Sequence, residues 1–317
     1  MKNLSNYILE AKKQNLDIDR RQPKSRSELE MIISGAFKRK QYDLNFIDTS
    51  KITDMSELFE DVEHDFDVSS WDVSNVKDMS NMFNRCYKFT GKGIENWDVS
   101  NVKDMSYMFT DCLKFNCDLS NWDVSNVTDM SHMFDSCSIF IGKGLENWDV
   151  SNVTNMSGMF LHCKKFDCEL SNWDMSNVIY TNLMFSNCAK FTGKGIENWN
   201  VSKVKSMYAM FGDCTNFNCD VSNWDVSNVT DMNNMFYCCN NFDYDLSNWD
   251  VSNVTNMHGM FNSCFEFTGK GLENWNVSKV KNMRTMFSGC KFNYHELDWD
   301  LSGLSSQLKT FRNYLAD

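Results

Sequence analysis

The chain has 317 residues and a single proline, Pro23. Average usage would be about 5%, so Pro-rich linkers and collagen-like repeats are excluded. Positive charge is also scarce. Lys and Arg number 31 against 43 Asp and Glu, a net charge of −12. A generally basic nucleic-acid-binding surface does not come from that balance. No apolar run approaches the ~18–20 residues of a membrane-spanning helix. Met1 to Asp17 carries lysines but no apolar h-region, so an export signal is not expected.

Enzyme signatures are missing too. His64, His132, His162, His258 and His295 sit at unrelated places in the pattern described below, so no shared imidazole site forms. There is no nucleophile elbow, paired-His helix or dinucleotide glycine run. The CxxC and Cys/His spacings of zinc sites are absent. An enzyme is not expected, and neither is a cofactor or metal.

What is present is repetition. All ten tryptophans fall in one register: Trp71, Trp97, Trp122, Trp148, Trp173, Trp199, Trp224, Trp249, Trp275 and Trp299. Nine of the 13 cysteines lie fifteen residues after a Trp, from Cys86 to Cys290. A Met-x-x-Met-Phe group lies between them, as at Met130, Met133 and Phe134. Only a tandem repeat places residues this way. Phe46 to Phe59 is a worn first copy with Ile47 in the Trp place. Trp299 to Phe311 is a worn last copy, with Gln307 in a Met place and Tyr314 in the Cys place. Eroded terminal copies suit an array whose last faces meet water.

Trp122 and Val124 alternate around Asp123, which predicts a short strand. Val127, Met130, Met133, Phe134 and Cys137 recur at three and four residues, which predicts a short helix capped by Thr128 or Asp129. The expected fold is an α/β repeat, a right-handed solenoid of about eleven strand–turn–short-helix rungs with a parallel β-sheet. At about 4.8 Å per step the rod would be roughly 50 Å long.

The run Val-x-x-Met-x-x-Met-Phe-x-x-Cys-x-x-Phe, followed by Asp-Leu-Ser-x-Trp-Asp-Val-Ser-Asn-Val, resembles the BspA-like leucine-rich repeats. It is closest to the 25–26-residue variant of bacterial surface proteins, over about Phe46 to Tyr314. The resemblance implies a leucine-rich-repeat-type solenoid and a role in adhesion or protein binding. It also implies a cell-surface location. Without a visible leader, a cytoplasmic or phage-encoded protein is the other expectation.

Residues 1–45 differ in composition. Ten basic residues face six acidic ones. Leu4, Ile8 and Ala11 predict one short helix. Ser25 and Glu28 can form a capping box, ahead of a second helix with an apolar stripe of Leu29, Ile32, Ile33, Ala36 and Phe37. The segment is either a helical cap on the first rung or a basic arm for an acidic partner. Residues 46–317 form the repeat array.

Two exposed columns are candidate binding features. Asp72, Asp98, Asp123, Asp149, Asp174, Asp225 and Asp250 each follow a Trp, as does Asp300, with Asn200 and Asn276 in the remaining units. They form an acidic ladder that either bonds local turns or meets a basic protein or bridging cations. Lys92, Lys143, Lys194 and Lys270 sit in Gly-Lys-Gly loops, which are either turn devices or contacts for an anion or glycan. The cysteines are expected to be reduced and to pack as small hydrophobes. The expected function is a non-catalytic scaffold that binds a macromolecule, most simply a protein, through the acidic face. The alternative is a spacer or assembly component whose N-terminal basic segment makes the specific contact.

Overall fold

The computed structural model describes residues 21–292, 297–301 and 304. The helix expected around Leu4, Ile8 and Ala11 lies outside the described residues. So do Tyr294, His295, Gln307, Phe311 and Tyr314.

The repeats do stack, but not as strands. Among the described residues there is no β-strand and no sheet, and the one α-helix is α1, Arg26–Lys38. Three single-turn 3₁₀ helices, Ile94–Asn96, Leu145–Asn147 and Leu272–Asn274, complete the regular structure. The expected parallel sheet of strand–turn–helix rungs is therefore wrong, and with it the right-handed crossover between strands. Trp122 to Val124 is irregular, and Met130 to Cys137 is a run of turns.

The backbone of one unit shows why. Met79, Asn81, Phe83 and Arg85 donate N–H to Asp104, Ser106, Met108 and Thr110 carbonyls in the next rung, at 3.0, 2.8, 2.9 and 2.8 Å. The alternate amides close internal turns instead: Met82 to Met79, Asn84 to Asn81 and Cys86 to Phe83, at 3.1, 3.0 and 3.0 Å. The preceding rung bonds the carbonyls of Asp78, Ser80, Met82 and Asn84. These bonds pair the backbone of this stretch on both sides, as burial demands. Asn81 and Arg85 achieve this at φ 55° and 61°, a left-handed conformation that no strand and no α-helix contains. Sheet-like pairing shrinks to one residue per rung, a line of isolated parallel bridges from Asp54 through Asp78, Asp104 and Asp129 to Asn282.

Side chains fill the interior in columns. Phe83 stacks on Phe109 with centroids 5.5 Å apart and planes 3° from parallel. Within one rung, Phe83 also stacks on Phe89 at 4.3 Å. Two phenylalanine columns therefore interdigitate along the array. Trp122 lies parallel to Trp148, 6.4 Å away. Each indole also donates to the preceding rung, as Trp122 Nε1 does to Ile94 O at 2.9 Å. Full burial of each such side chain contributes about 1.5–3 kcal/mol.

The N-terminal end of the core is covered by α1. Ser25 Oγ accepts the Glu28 N–H at 3.3 Å, and the Glu28 carboxylate accepts the Lys24 N–H at 2.8 Å. Leu29, Ile33 and Ala36 are buried against the first rung. Arg26 fastens the helix to that rung through Asp54 Oδ1, at 2.9 Å, and Ser56 Oγ, at 2.6 Å.

Candidate functional site

The acidic column is where the alternation around each Trp suggests. Asp72, Asp98, Asp123, Asp149, Asp174, Asp225 and Asp250 are all exposed, while the flanking Trp and Val or Met are buried. Each Asp bends the chain through a local turn. Asp123 Oδ1 accepts the Ser125 N–H at 3.0 Å, Asp149 that of Ser151 at 3.0 Å, and Asp174 that of Ser176 at 2.9 Å. These are Asx turns, in which a carboxylate replaces a backbone carbonyl. The Ser151 hydroxyl and N–H hold the Asp149 carboxyl below its usual range, and Ser252 does the same for Asp250. Turn bonding uses Oδ1 and leaves the second oxygen of each carboxylate for an outside donor.

Two neighbouring columns make bonds that the sequence reading did not anticipate. Asn75, Asn101, Asn126, Asn152, Asn177, Asn228 and Asn253 each donate from Nδ2 to a serine carbonyl one rung back, as Asn126 does to Ser100 at 2.8 Å. Lys203 and Lys279 replace this asparagine in two units and reach the asparagine Oδ1 of the preceding rung, both at 2.7 Å. The other is a half-buried line of Asp54, Asp78, Asp104 and Asp129 at the bridge position. Asp129 Oδ1 accepts the Ser131 N–H and hydroxyl, at 2.8 and 2.6 Å. It therefore caps a turn, not the expected helix. The available signal was the Asp or Asn standing directly before the first Met in most units.

The Gly-Lys-Gly lysines do not join the acidic column. Lys143, Lys194 and Lys270 pair with linker acids about one rung earlier, Asp118, Glu169 and Asp245, at 2.7, 3.2 and 3.3 Å. Lys92 acts electrostatically on Asp67. Lys143 and the Ser120 donors together take the Asp118 carboxyl down to about 2. The glycines are conformational necessities. Gly93 has φ 94°, and a Cβ there would lie 2.2 Å from the Ser69 Cβ. The loop's free N–H is filled from within, since Gly93 N donates to Glu95 Oε2 at 2.7 Å.

All thirteen cysteines are free thiols. The fifteen-residue column runs through the core, where burial pushes the thiols up, Cys86 to about 12. Cys117, Cys168 and Cys219 line the floor beneath the lysine loops, each Sγ 3.8–3.9 Å from a glutamate Oε2. Burial and that carboxylate raise these three to about 12 as well. They are the opposite of activated nucleophiles. Among the described residues, no group of three or more His, Cys, Asp or Glu is placed to hold a metal ion. No described helix is long and apolar enough to cross a membrane.

These features define a tandem-repeat protein whose rungs are held by turns, ring stacks and side-chain ladders, with one carboxylate or amide per rung displayed beside the Trp column. The chain belongs to the family described as "Mycoplasma protein of unknown function, DUF285", which matches residues 27–142, 128–237 and 206–316. This family, not the BspA-like leucine-rich repeats, is the one the comparison supports. No curated protein matches the chain.

Proposed function

We propose that this protein is a non-catalytic scaffold that binds a basic protein surface through its Asp column. The observation that carries the reading is the exposure of Asp72, Asp98, Asp123, Asp149 and Asp174 on consecutive rungs, each with only one oxygen committed to its turn. Like charges repeated at about 5 Å repel one another. A partner carrying Lys or Arg at matching intervals relieves that repulsion and gains electrostatic steering. The uniformity of the Asp column supports a binding role, because the same exposed carboxylate recurs on successive rungs. The adhesion-like role suggested by resemblance is one setting for such binding. The N-terminal segment is less favoured as the contact, because Arg26 is used to seat α1 on Asp54 and Ser56.

The test uses immobilised Lys/Arg-rich peptides at physiological salt. Changing Asp123, Asp149 and Asp174 together to Lys should weaken binding at least about tenfold. The same reversal at Glu57, Asp213 and Glu266, away from the column, should change it little. Equal losses from both triple variants would reduce the effect to net charge and refute the face assignment.

A further inference from the structure

A second charged edge lies sixteen residues farther round each rung. Lys88, Lys114, Lys165 and Lys190 each immediately precede a phenylalanine of the stacked column formed by Phe89, Phe115, Phe140, Phe166 and Phe191. Successive rings are 5.6–6.5 Å apart, so the lysines are carried in line at rung spacing. Lys164 adds a fifth cation. All five are exposed, and none forms an ion pair among the described residues. Asp111, Asp135 and Asp167 oppose them on these loops; Asp135 is bonded to His132 and Ser136, both at 3.0 Å, and Asp167 to the Thr192 N–H and hydroxyl at 3.0 and 2.8 Å.

The same loops expose apolar side chains. Tyr87, Leu113, Ile139 and Ile141 are 39%, 40%, 38% and 47% exposed. In the rung between Lys114 and Lys165, Ile139 takes the lysine position. The patch also has ends. Glu63 and Asp65 occupy the corresponding loop before it, and Asn216, Asn241 and Glu266 replace the lysine after it. A local concentration of unpaired cations in a chain of net charge −12 is not what composition alone would produce.

We propose that this edge docks on the surface of an anionic lipid bilayer. Lysines lying beside exposed aliphatic and tyrosine side chains match both parts of such an interface. The ammonium groups meet headgroup phosphates, and Leu113, Ile139 and Ile141 enter the acyl boundary. A nucleic-acid backbone would reward the lysines but not the aliphatic residues. The contact is peripheral, involves no spanning element, and is independent of the Asp column.

Vesicle co-sedimentation tests it with the full chain. The vesicles are phosphatidylcholine alone, or phosphatidylcholine with roughly 40% phosphatidylglycerol, at physiological salt. The protein should bind the anionic vesicles and not the neutral ones. Lys88→Glu, Lys114→Glu, Lys165→Glu and Lys190→Glu together should weaken partitioning about a hundredfold or more. Leu113→Ser, Ile139→Ser and Ile141→Ser together should weaken it several-fold, and Asp123→Asn with Asp149→Asn should leave it unchanged. All of these positions are exposed, and an unchanged melting temperature confirms that folding is intact. No binding to anionic vesicles, equal binding to neutral ones, indifference to the lysine reversals, or tighter binding to duplex RNA or an acidic peptide would overturn the proposal.

Discussion

The thiol of Cys137 donates to the carbonyl oxygen of Phe109, one rung back, at 3.1 Å. That carbonyl already accepts the Cys112 N–H at 3.0 Å. The relation recurs along the column from Cys86 on Phe59 to Cys290 on Phe261. Cysteine fits because it combines small apolar volume with one donor. Cys137→Ser keeps the donor and should cost less than about 1 kcal/mol, whereas Cys137→Val loses it and overpacks, costing about 1–3 kcal/mol. Urea denaturation of the two variants measures the difference.

The same column sets an alkaline limit. Burial pushes the thiols of Cys112, Cys137, Cys163 and Cys188 well up, and Cys86 to about 12. Unfolding returns each to about 8.5. Above that pH the unfolded chain releases protons that the native state retains. Stability is therefore full below about pH 8.5 and falls as pH rises toward 12, by up to about 1.4 kcal/mol per thiol per pH unit. Urea midpoints between pH 7 and 10.5 should show a plateau followed by a steep decline. A flat profile would mean that the thiols are accessible in the folded state.

Gly158 is required chiefly by its neighbour, since His132 and Leu183 hold the same left-handed backbone at φ 54° and 59° in adjacent rungs. It has φ 62°, and a Cβ there would lie 2.4 Å from the His132 ring. That ring is pinned, stacked on Tyr107 at 4.7 Å and bonded to Asp135 at 3.0 Å. Gly158→Ala should cost about 2 kcal/mol or more. In a His132→Ala background the cost should drop to about 1 kcal/mol, the backbone part alone. A double-mutant cycle by denaturation reads the coupling.

The cap responds to acid. Burial pushes the Asp54 carboxyl up, but the Ser56 bonds and Arg26 outweigh it, and the pKa lies below the usual value. Its stabilising contribution is present above the unfolded carboxylate range and is lost as pH falls through the folded value. Arg26→Ala should destabilise the protein by about 1 kcal/mol at neutral pH. The difference from wild type should narrow as pH falls through the folded Asp54 value, leaving the part due to the Ser56 contacts. Thermal melts at pH 7 and pH 3 check both statements.

Much of this was legible in the residues, and the limits have physical causes. Trp122 and Trp148 announce a stacked array because a 26-residue step returns the chain to the same place. Ser25 with Glu28 marks the start of α1 because a free amide there needs an acceptor. The secondary structure was misread for a definite reason. Met130, Met133, Phe134 and Cys137 share one face in a helix, and they share one face equally when the chain turns every four residues through His132 and Ser136 at φ 54° and 61°. Side-chain periodicity reports which residues are buried, not which backbone buries them. Trp122, Asp123 and Val124 alternate for the same reason. Exposure of the Asp column therefore followed from alternation even though its strand does not exist. The Asn126 ladder was hidden because a residue can be exposed and still bond to the rung behind it.

Amide hydrogen exchange resolved to single residues tests the strandless stack most directly. The Met130, His132, Phe134 and Ser136 amides bond into the next rung, at 3.0, 2.8, 2.9 and 2.7 Å. They should exchange only through global unfolding. The Asp123, Asp149 and Asp174 amides, which make no rung-to-rung bond in the described structure, should exchange orders of magnitude faster. Protection at Asp123, Asp149 and Asp174 equal to that at Phe134 would put a paired strand beside each Trp and contradict the account.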